Sequence, residues 1–314
     1  MAIVGKFAEN APDRPRRRRL KSLAFLPALL TIGNLLCGFA AVHFALRAMH
    51  DLGAGISDDA VQIFQHPKWE LILPSFLSVG AGLVLLGMVF DCFDGLVARA
   101  TRSTTNFGGQ LDSMADVVTF GVAPATLMIA FMTAELSGDS IVPSPLSQHA
   151  LGRFTWIAAA IYVACGAIRL ARYNVEHATA EFDHRMFRGL PIPGAAAIVV
   201  ALIIVREHFG ETGRLVTAYA TPLVALAAAL LMVSRIPYRR FHRAYLLGRK
   251  PFGQLVGFLI VFAVFWLYKA PTLLVVVLWY GASGPVELLV RRLRKQQPPA
   301  TAERDRPSAG QRTA

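Results

Sequence analysis

Apolar residues in this chain fall in long blocks separated by short polar stretches. The blocks lie at about 23–46, 71–96, 112–134, 154–173, 192–208, 215–234, 255–268 and 272–290. A helix needs roughly 20 mostly apolar residues to cross a hydrocarbon core of about 30 Å. The pattern therefore predicts membrane-spanning helices at these positions. The blocks at 192–208 and 255–268 are short, which sets the range at six to eight spans. The first block follows RPRRRRLK, but its apolar run is too long for a signal peptide and no small-residue cleavage site follows.

Composition strengthens this reading. The 314 residues are 54% hydrophobic and only 17% charged, more apolar than a soluble domain of that length. Residues 1–22 and 291–314 differ from the rest, being polar and rich in Arg and Pro. They read as basic, disordered tails. Between them the sequence predicts one all-α membrane domain and no soluble domain. A six-helix core would occupy 23–235, and two further spans 236–290.

Charge sets the expected orientation. In an eight-span arrangement, 26 of the 32 Lys and Arg residues fall on the side that holds both tails and the loops near 99, 169–188 and 235–250. The positive-inside rule makes that side cytoplasmic. A net charge of +12 also raises nucleic acid as a partner. Because these charges flank spans, anionic lipid headgroups are the better match, and no nucleic acid is expected. Cys37, Cys92 and Cys165 sit in or beside spans without metal-type spacing and read as small buried hydrophobes; the histidines are scattered.

One stretch departs from the apolar pattern. Residues 91–116 read DCFDGLVARATRSTTNFGGQLDSMAD, with Asp91, Asp94, Asp112 and Asp116 between two apolar blocks. Asp91 and Asp94, at i and i+3, share a face of the last turns of the second span. Asp112 and Asp116, at i and i+4, share a face of the first turns of the third. A turn joins the two helices, so all four carboxylates can converge at one depth. The plain alternative is solvated helix ends, with Asp112 as a helix cap. The macrodipole disfavours Asp91 and Asp94 at a helix C-terminus, by about 0.3–1 kcal/mol each. Ionisable groups inside a membrane are costly and usually functional. Clustered carboxylates also repel unless protons or cations neutralise them. An all-oxygen set suits Mg²⁺ or Mn²⁺, and Mg²⁺ commonly bridges carboxylates to substrate phosphates. Gly95 and Gly108 would let a bulky ligand approach the backbone. Arg99 can reach a phosphate with its planar fork of donors, whereas Arg102 reads as a headgroup contact.

The spacing Asp91-x2-Asp94-Gly95-x2-Ala98-Arg99-x8-Gly108-x3-Asp112-x3-Asp116 resembles, at every fixed position, the signature of the CDP-alcohol phosphatidyltransferases. That resemblance implies a six-helix catalytic core in the membrane and transfer of a phosphatidyl group from a CDP-linked lipid to an alcohol, with release of CMP. It implies that Asp91, Asp94 and Asp112 hold a pair of divalent ions. Asp116 would add a ligand and act as base, and Gly95, Ala98, Arg99 and Gly108 would line the CDP site.

Further stretches resemble one branch of that family, the membrane-integral phosphatidylserine synthases of bacteria. They are TIGNLLCGFAAV at 31–42, LDSMADVVTFGVAPA at 111–125, ACGAIRLARYN at 164–174 and FRGLPIPGAAA at 187–197. This branch implies CDP-diacylglycerol and L-serine as substrates, the inner membrane as location with a cytoplasmic active site, and a homodimer. Many members open the first span with Pro-Asn; here Pro27 is followed by Ala28, so the role of that Asn is unfilled or passes to Asn34. Thr31 and Asn34, at i and i+3, share a face and suit either nucleotide contact or hydrogen bonding between helices. Arg169 and Arg172, with Asn174 close by, suit either a substrate anion or the positive-inside pattern. Pro191 and Pro193 fit the start of the fifth span. Other acceptors (glycerol 3-phosphate, inositol), an intramembrane prenyltransferase and a cation transporter are the competing readings.

Overall fold

The computed structural model describes residues 25–53, 75–101, 106–135, 143–178, 186–206, 210–239 and 271–288, together with 290 and 293. Helix α1 spans Leu26–Gly53, and α2 spans Phe76–Thr101. The third crossing has three parts: α3 over Asn106–Asp116, a π-helical turn over Val117–Val122, and α4 over Ala123–Glu135. Then come α5 (Ala150–Ala178), α6 (Ile192–Val205), α7 (Gly210–Val233) and α8 (Pro271–Leu288). Among the described residues six helical stretches are long and apolar enough to cross a membrane, and α6 is a shorter apolar helix. The all-α expectation holds. The one extended element among the described residues is a short ribbon, β1 (Met186–Arg188) antiparallel to β2 (Pro237–Arg239). The span expected at 255–268 lies outside the described residues.

Small residues let the helices approach. Ala41, Ala45 and Ala48 follow one stripe of α1 and are fully buried. Gly80 of α2 lies against Leu127 and the Ala41 carbonyl, where an added Cβ would stand 2.7 Å from Leu127 Cδ2. Lipid tails are as apolar as leucine side chains, so association inside a membrane rests on such close packing. Around it lie Leu77, Val84, Leu127, Met128 and Phe131, all fully buried, and Phe44 stacks on Phe76 at 5.8 Å.

The π turn has an identifiable cause. Pro124 has no N–H to give the Phe120 carbonyl in an α register, and its ring crowds that carbonyl. The helix widens, and the Ala123 N–H donates to the Val118 carbonyl five residues back. Tyr162 of α5, fully buried, donates its hydroxyl to Phe120 O at 3.1 Å. The widening follows directly on Asp116. Such turns are frequent at functional sites.

The two ends of the bundle differ. At one end Arg206 pairs with Glu135, both buried, and stacks over Phe131. At the same end Arg47 and His50 flank the buried carboxylate of Asp51. These groups are satisfied by one another. The opposite end holds all four aspartates of the 91–116 stretch.

Candidate active site

The C-terminal turns of α2, the whole of α3 and the N-terminal turns of α1 meet at that end. Asp91, Asp112 and Asp116 each offer a carboxylate oxygen, and these oxygens lie within 4.8 Å of one another. Asp94, one helical turn from Asp91, is buried and adjoins Asp112. The convergence expected from the i, i+3 and i, i+4 spacing is present.

Where α3 begins differs from the expectation. It starts at Asn106, with no acidic residue in its first turn. Asp112 is thus well inside the helix and is not its cap. The apolar pattern begins later than the helix does, because NFGGQLDS carries polar residues through the opening turns. Of the three cysteines expected to be buried, Cys37 is, Cys165 is half-buried and Cys92 is exposed.

Helix α1 supplies the partners of the two buried carboxylates. Thr31 Oγ1 donates to Asp94 Oδ2 at 2.9 Å and also lies 3.1 Å from the Pro27 carbonyl. Asn34 Nδ2 donates to Asp116 Oδ1 at 3.1 Å. Both residues are buried. The hydrogen bonds between helices that one reading of this pair expects are present in the structure.

A third residue, Thr119, fixes Asn34 in turn. It sits in the π turn and donates from Oγ1 to the Asn34 carbonyl at 2.9 Å. Gly38 of α1 and Gly87 of α2 close around it. A Cβ at Gly38 would lie 2.4 Å from Thr119 Oγ1 and 2.7 Å from its Cα; one at Gly87 would lie 2.6 Å from Thr119 Cγ2. Thr119 escaped the sequence reading because a threonine in an apolar run carries no periodic signal. The glycines in the apolar blocks were the available hint.

The remaining residues divide. Gly95, Ala98 and Gly108 are half-buried near the carboxylates. Arg99 belongs to the last turn of α2, but its side chain lies outside the described residues, and so does Arg102. Arg169 of α5 is buried, donates from Nε to the Leu190 carbonyl at 2.5 Å, and has Asp116 within electrostatic reach. Arg172 points elsewhere, donating to the Val233 carbonyl at 3.2 Å. Asn174 is exposed and exchanges hydrogen bonds with Ser113, its Nδ2 donating at 3.0 Å. The proline pair does open a helix: Pro191 precedes the first residue of α6, and Pro193 lies in its first turn.

Three anions with oxygens inside 4.8 Å would repel by about 3.5 kcal/mol or more per pair at an effective dielectric of about 20. Something positive must offset this. Asp112 Oδ1 is buried and has no donor among the described residues, which is the condition of an atom that accepts a cation. The donors are all oxygens, the set preferred by Mg²⁺ and Mn²⁺. The residues therefore fit a divalent metal centre.

Comparison with known proteins gives the family. The profile of the CDP-alcohol phosphatidyltransferase family matches residues 24–286. A CDP-diacylglycerol--serine O-phosphatidyltransferase of Mycobacterium leprae is 28% identical over 233 residues, which is 73% of this chain and 63% of the relative. Proteins of the same name from Helicobacter pylori and Bacillus subtilis are 36% identical over 187 residues and 28% over 222. They cover 58% and 70% of this chain, and 67% and 92% of their own lengths. The chain spans about two thirds of the mycobacterial relatives it matches. With the family profile covering most of its length, and the aspartates of the family signature gathered at one end of the helical bundle, this chain belongs to the CDP-alcohol phosphatidyltransferases.

Proposed function

We propose that this protein transfers the phosphatidyl group of CDP-diacylglycerol to the hydroxyl of L-serine and releases CMP. The observation that carries the proposal is the carboxylate cluster at one end of an apolar helical bundle. The serine product rests on the relatives named above.

In this reading Asp91, Asp94, Asp112 and Asp116 hold two divalent ions, Mg²⁺ or Mn²⁺. Those ions would offset charge on the pyrophosphate and on the departing CMP. Gly95, Ala98, Arg99 and Gly108 line the CDP site. Thr31 and Asn34 close its inner side and hold Asp94 and Asp116 in place. The serine oxygen forms a bond to the phosphorus that carries the diacylglycerol, and the bond from that phosphorus to CMP breaks. Asp116 accepts the hydroxyl proton. Arg169 meets the serine carboxylate, and the lipid tails reach the site sideways from the bilayer.

The site and both tails face the cytoplasm at the inner membrane, the protein forms a homodimer, and residues 23–235 form the catalytic core with 236–290 added to it. Purified protein in lipid nanodiscs, given CDP-diacylglycerol and one alcohol at a time, tests the acceptor. CMP release with serine supports the proposal. Release with glycerol 3-phosphate or inositol, and none with serine, would reassign the acceptor. A cation transporter is the reading from another class, and it needs carboxylates along a path through the membrane. The cluster lies at one edge instead.

A further inference from the structure

The π turn after Asp116 stands between two anchors. On its α1 side, Thr119 Oγ1 donates to the Asn34 carbonyl at 2.9 Å. On its α5 side, Tyr162 donates its hydroxyl to the Phe120 carbonyl at 3.1 Å. Asn34, Thr119, Phe120 and Tyr162 are all buried, where a hydrogen bond is electrostatically stronger than in water. Two consecutive residues of one turn are thus tied to two different helices.

A buried carbonyl needs a donor, and Pro124 cannot supply the one that an α-helix would place on Phe120. The Tyr162 hydroxyl stands in for it, so this bond holds the turn in its widened form. Thr119 is the next residue back along the chain, and the same bond fixes the height from which it reaches α1.

The space around Thr119 leaves it little choice of position. A Cβ at Gly38 would stand 2.7 Å from the Thr119 Cα, and one at Gly87 would stand 2.6 Å from its Cγ2. Contacts this close need glycine on the facing helices. Gly87 also backs the Asn34 amide, where an added Cβ would be 2.9 Å from Oδ1. That oxygen has no donor among the described residues. What directs the amide is then its own backbone, which Thr119 holds, and the bond from Nδ2 to Asp116 Oδ1 at 3.1 Å.

We infer that Thr119 is a positioning residue for Asp116, acting through Asn34, and that Tyr162 holds the turn that presents it. Three hydrogen bonds, at 3.1, 2.9 and 3.1 Å, run from α5 through the π turn and α1 to the carboxylate cluster. The inference rests on the proposed divalent-metal centre and deepens it: the turn that breaks the α-helical register after Asp116 sets the affinity of the site for its ion. In this account Thr119 and Tyr162 are not ligands; they fix where a ligand points.

The test is Mn²⁺ binding by the full-length protein in lipid nanodiscs, followed by the EPR signal of the free ion with no substrate present. Thr119→Val keeps the shape of the side chain and removes the hydroxyl. Loss of one hydrogen bond corresponds to about two- to tenfold in an equilibrium constant. The Mn²⁺ dissociation constant should rise by about that factor in Thr119→Val and in Tyr162→Phe. Thr119→Ser, which keeps the hydroxyl, should stay near the wild type. Adding Thr119→Val to Asn34→Ala should weaken binding no further than Asn34→Ala alone, because the two residues act as one unit. Thr133→Val is the control. It removes a hydroxyl of the same crossing, bonded to the Ile129 carbonyl at 2.9 Å, and should bind Mn²⁺ as the wild type does. Wild-type affinity in Thr119→Val or Tyr162→Phe would overturn the inference, and so would Thr119→Ser or Thr133→Val as weak as Thr119→Val. Failure of the proposed reaction shows separately, as wild-type protein that binds Mn²⁺ and releases no CMP on addition of serine.

Discussion

Asn34 of the first helix donates to Asp116 of the third crossing at 3.1 Å, across a sequence separation of 82 residues. Its own carbonyl is held by Thr119, three residues beyond Asp116, at 2.9 Å. The two bonds form a closed loop between α1 and the π turn, and that loop fixes where the Asp116 carboxylate points. Partners of this kind around metal-binding carboxylates typically change metal affinity or activity by about 10–100-fold when removed. Asn34→Ala should raise the Mg²⁺ concentration for half-maximal CMP release by that order, and excess Mg²⁺ should restore most of the activity. A normal metal dependence in this variant would show that Asn34 does not orient Asp116.

The aspartates should separate into two roles. Asp116→Asn keeps the size of the side chain but cannot take a proton. Proton transfer to a placed side chain contributes about 10²–10⁴-fold, so turnover should fall by that order while CDP-diacylglycerol binding largely survives. Asp91→Asn should weaken donor binding as well, since a carboxylate of the cluster is gone. Binding and CMP release measured on both variants at several metal concentrations check this. If excess metal returns Asp116→Asn to near wild-type turnover, Asp116 is a ligand and the base is elsewhere.

Gly38 and Gly87 should resist substitution for steric reasons. A Cβ at Gly38 would meet the Thr119 backbone at 2.7 Å, and backbone cannot swing away as a flexible side chain can. Overpacking of this sort costs about 1–3 kcal/mol. Gly38→Ala and Gly87→Ala should therefore lower the midpoint of thermal unfolding in detergent. Gly109→Ala is the control: a Cβ there meets nothing within 4 Å, so the midpoint should hold or rise slightly.

Orientation can be read by labelling. Gln148 and Arg235 are both exposed, and the charge pattern puts them on opposite sides, with Arg235 cytoplasmic. Single cysteines at these positions, in a background lacking Cys37, Cys92 and Cys165, should differ in intact cells. An impermeant reagent should reach position 148 only. Equal labelling of both would contradict the topology.

Much of this site was legible because its chemistry conflicts with its surroundings. Asp91, Asp94, Asp112 and Asp116 stand out in an apolar chain, and helical spacing alone puts each pair on one face. The apolar blocks likewise predict the crossings, since length and hydropathy are local properties. What escaped depends on approach between distant segments. The π turn comes from Pro124 and the packing at Phe120 and Tyr162, none of which alters the apolar pattern. Tyr280 lies far along the chain from Gly194, which its ring covers, and a tyrosine near a glycine in an apolar helix is ordinary. The start of α3 was placed too late because its polar opening turns show no apolar period.

The central claim is that this carboxylate cluster drives a metal-dependent transfer from CDP-diacylglycerol to serine. The most direct measurement follows CMP release and the passage of labelled serine into lipid, in chelator and then with Mg²⁺ or Mn²⁺ added back. The account predicts no turnover in chelator, recovery with either ion, and one labelled lipid formed for each CMP released. Full turnover in chelator, or CMP release that leaves serine outside the lipid, would contradict it.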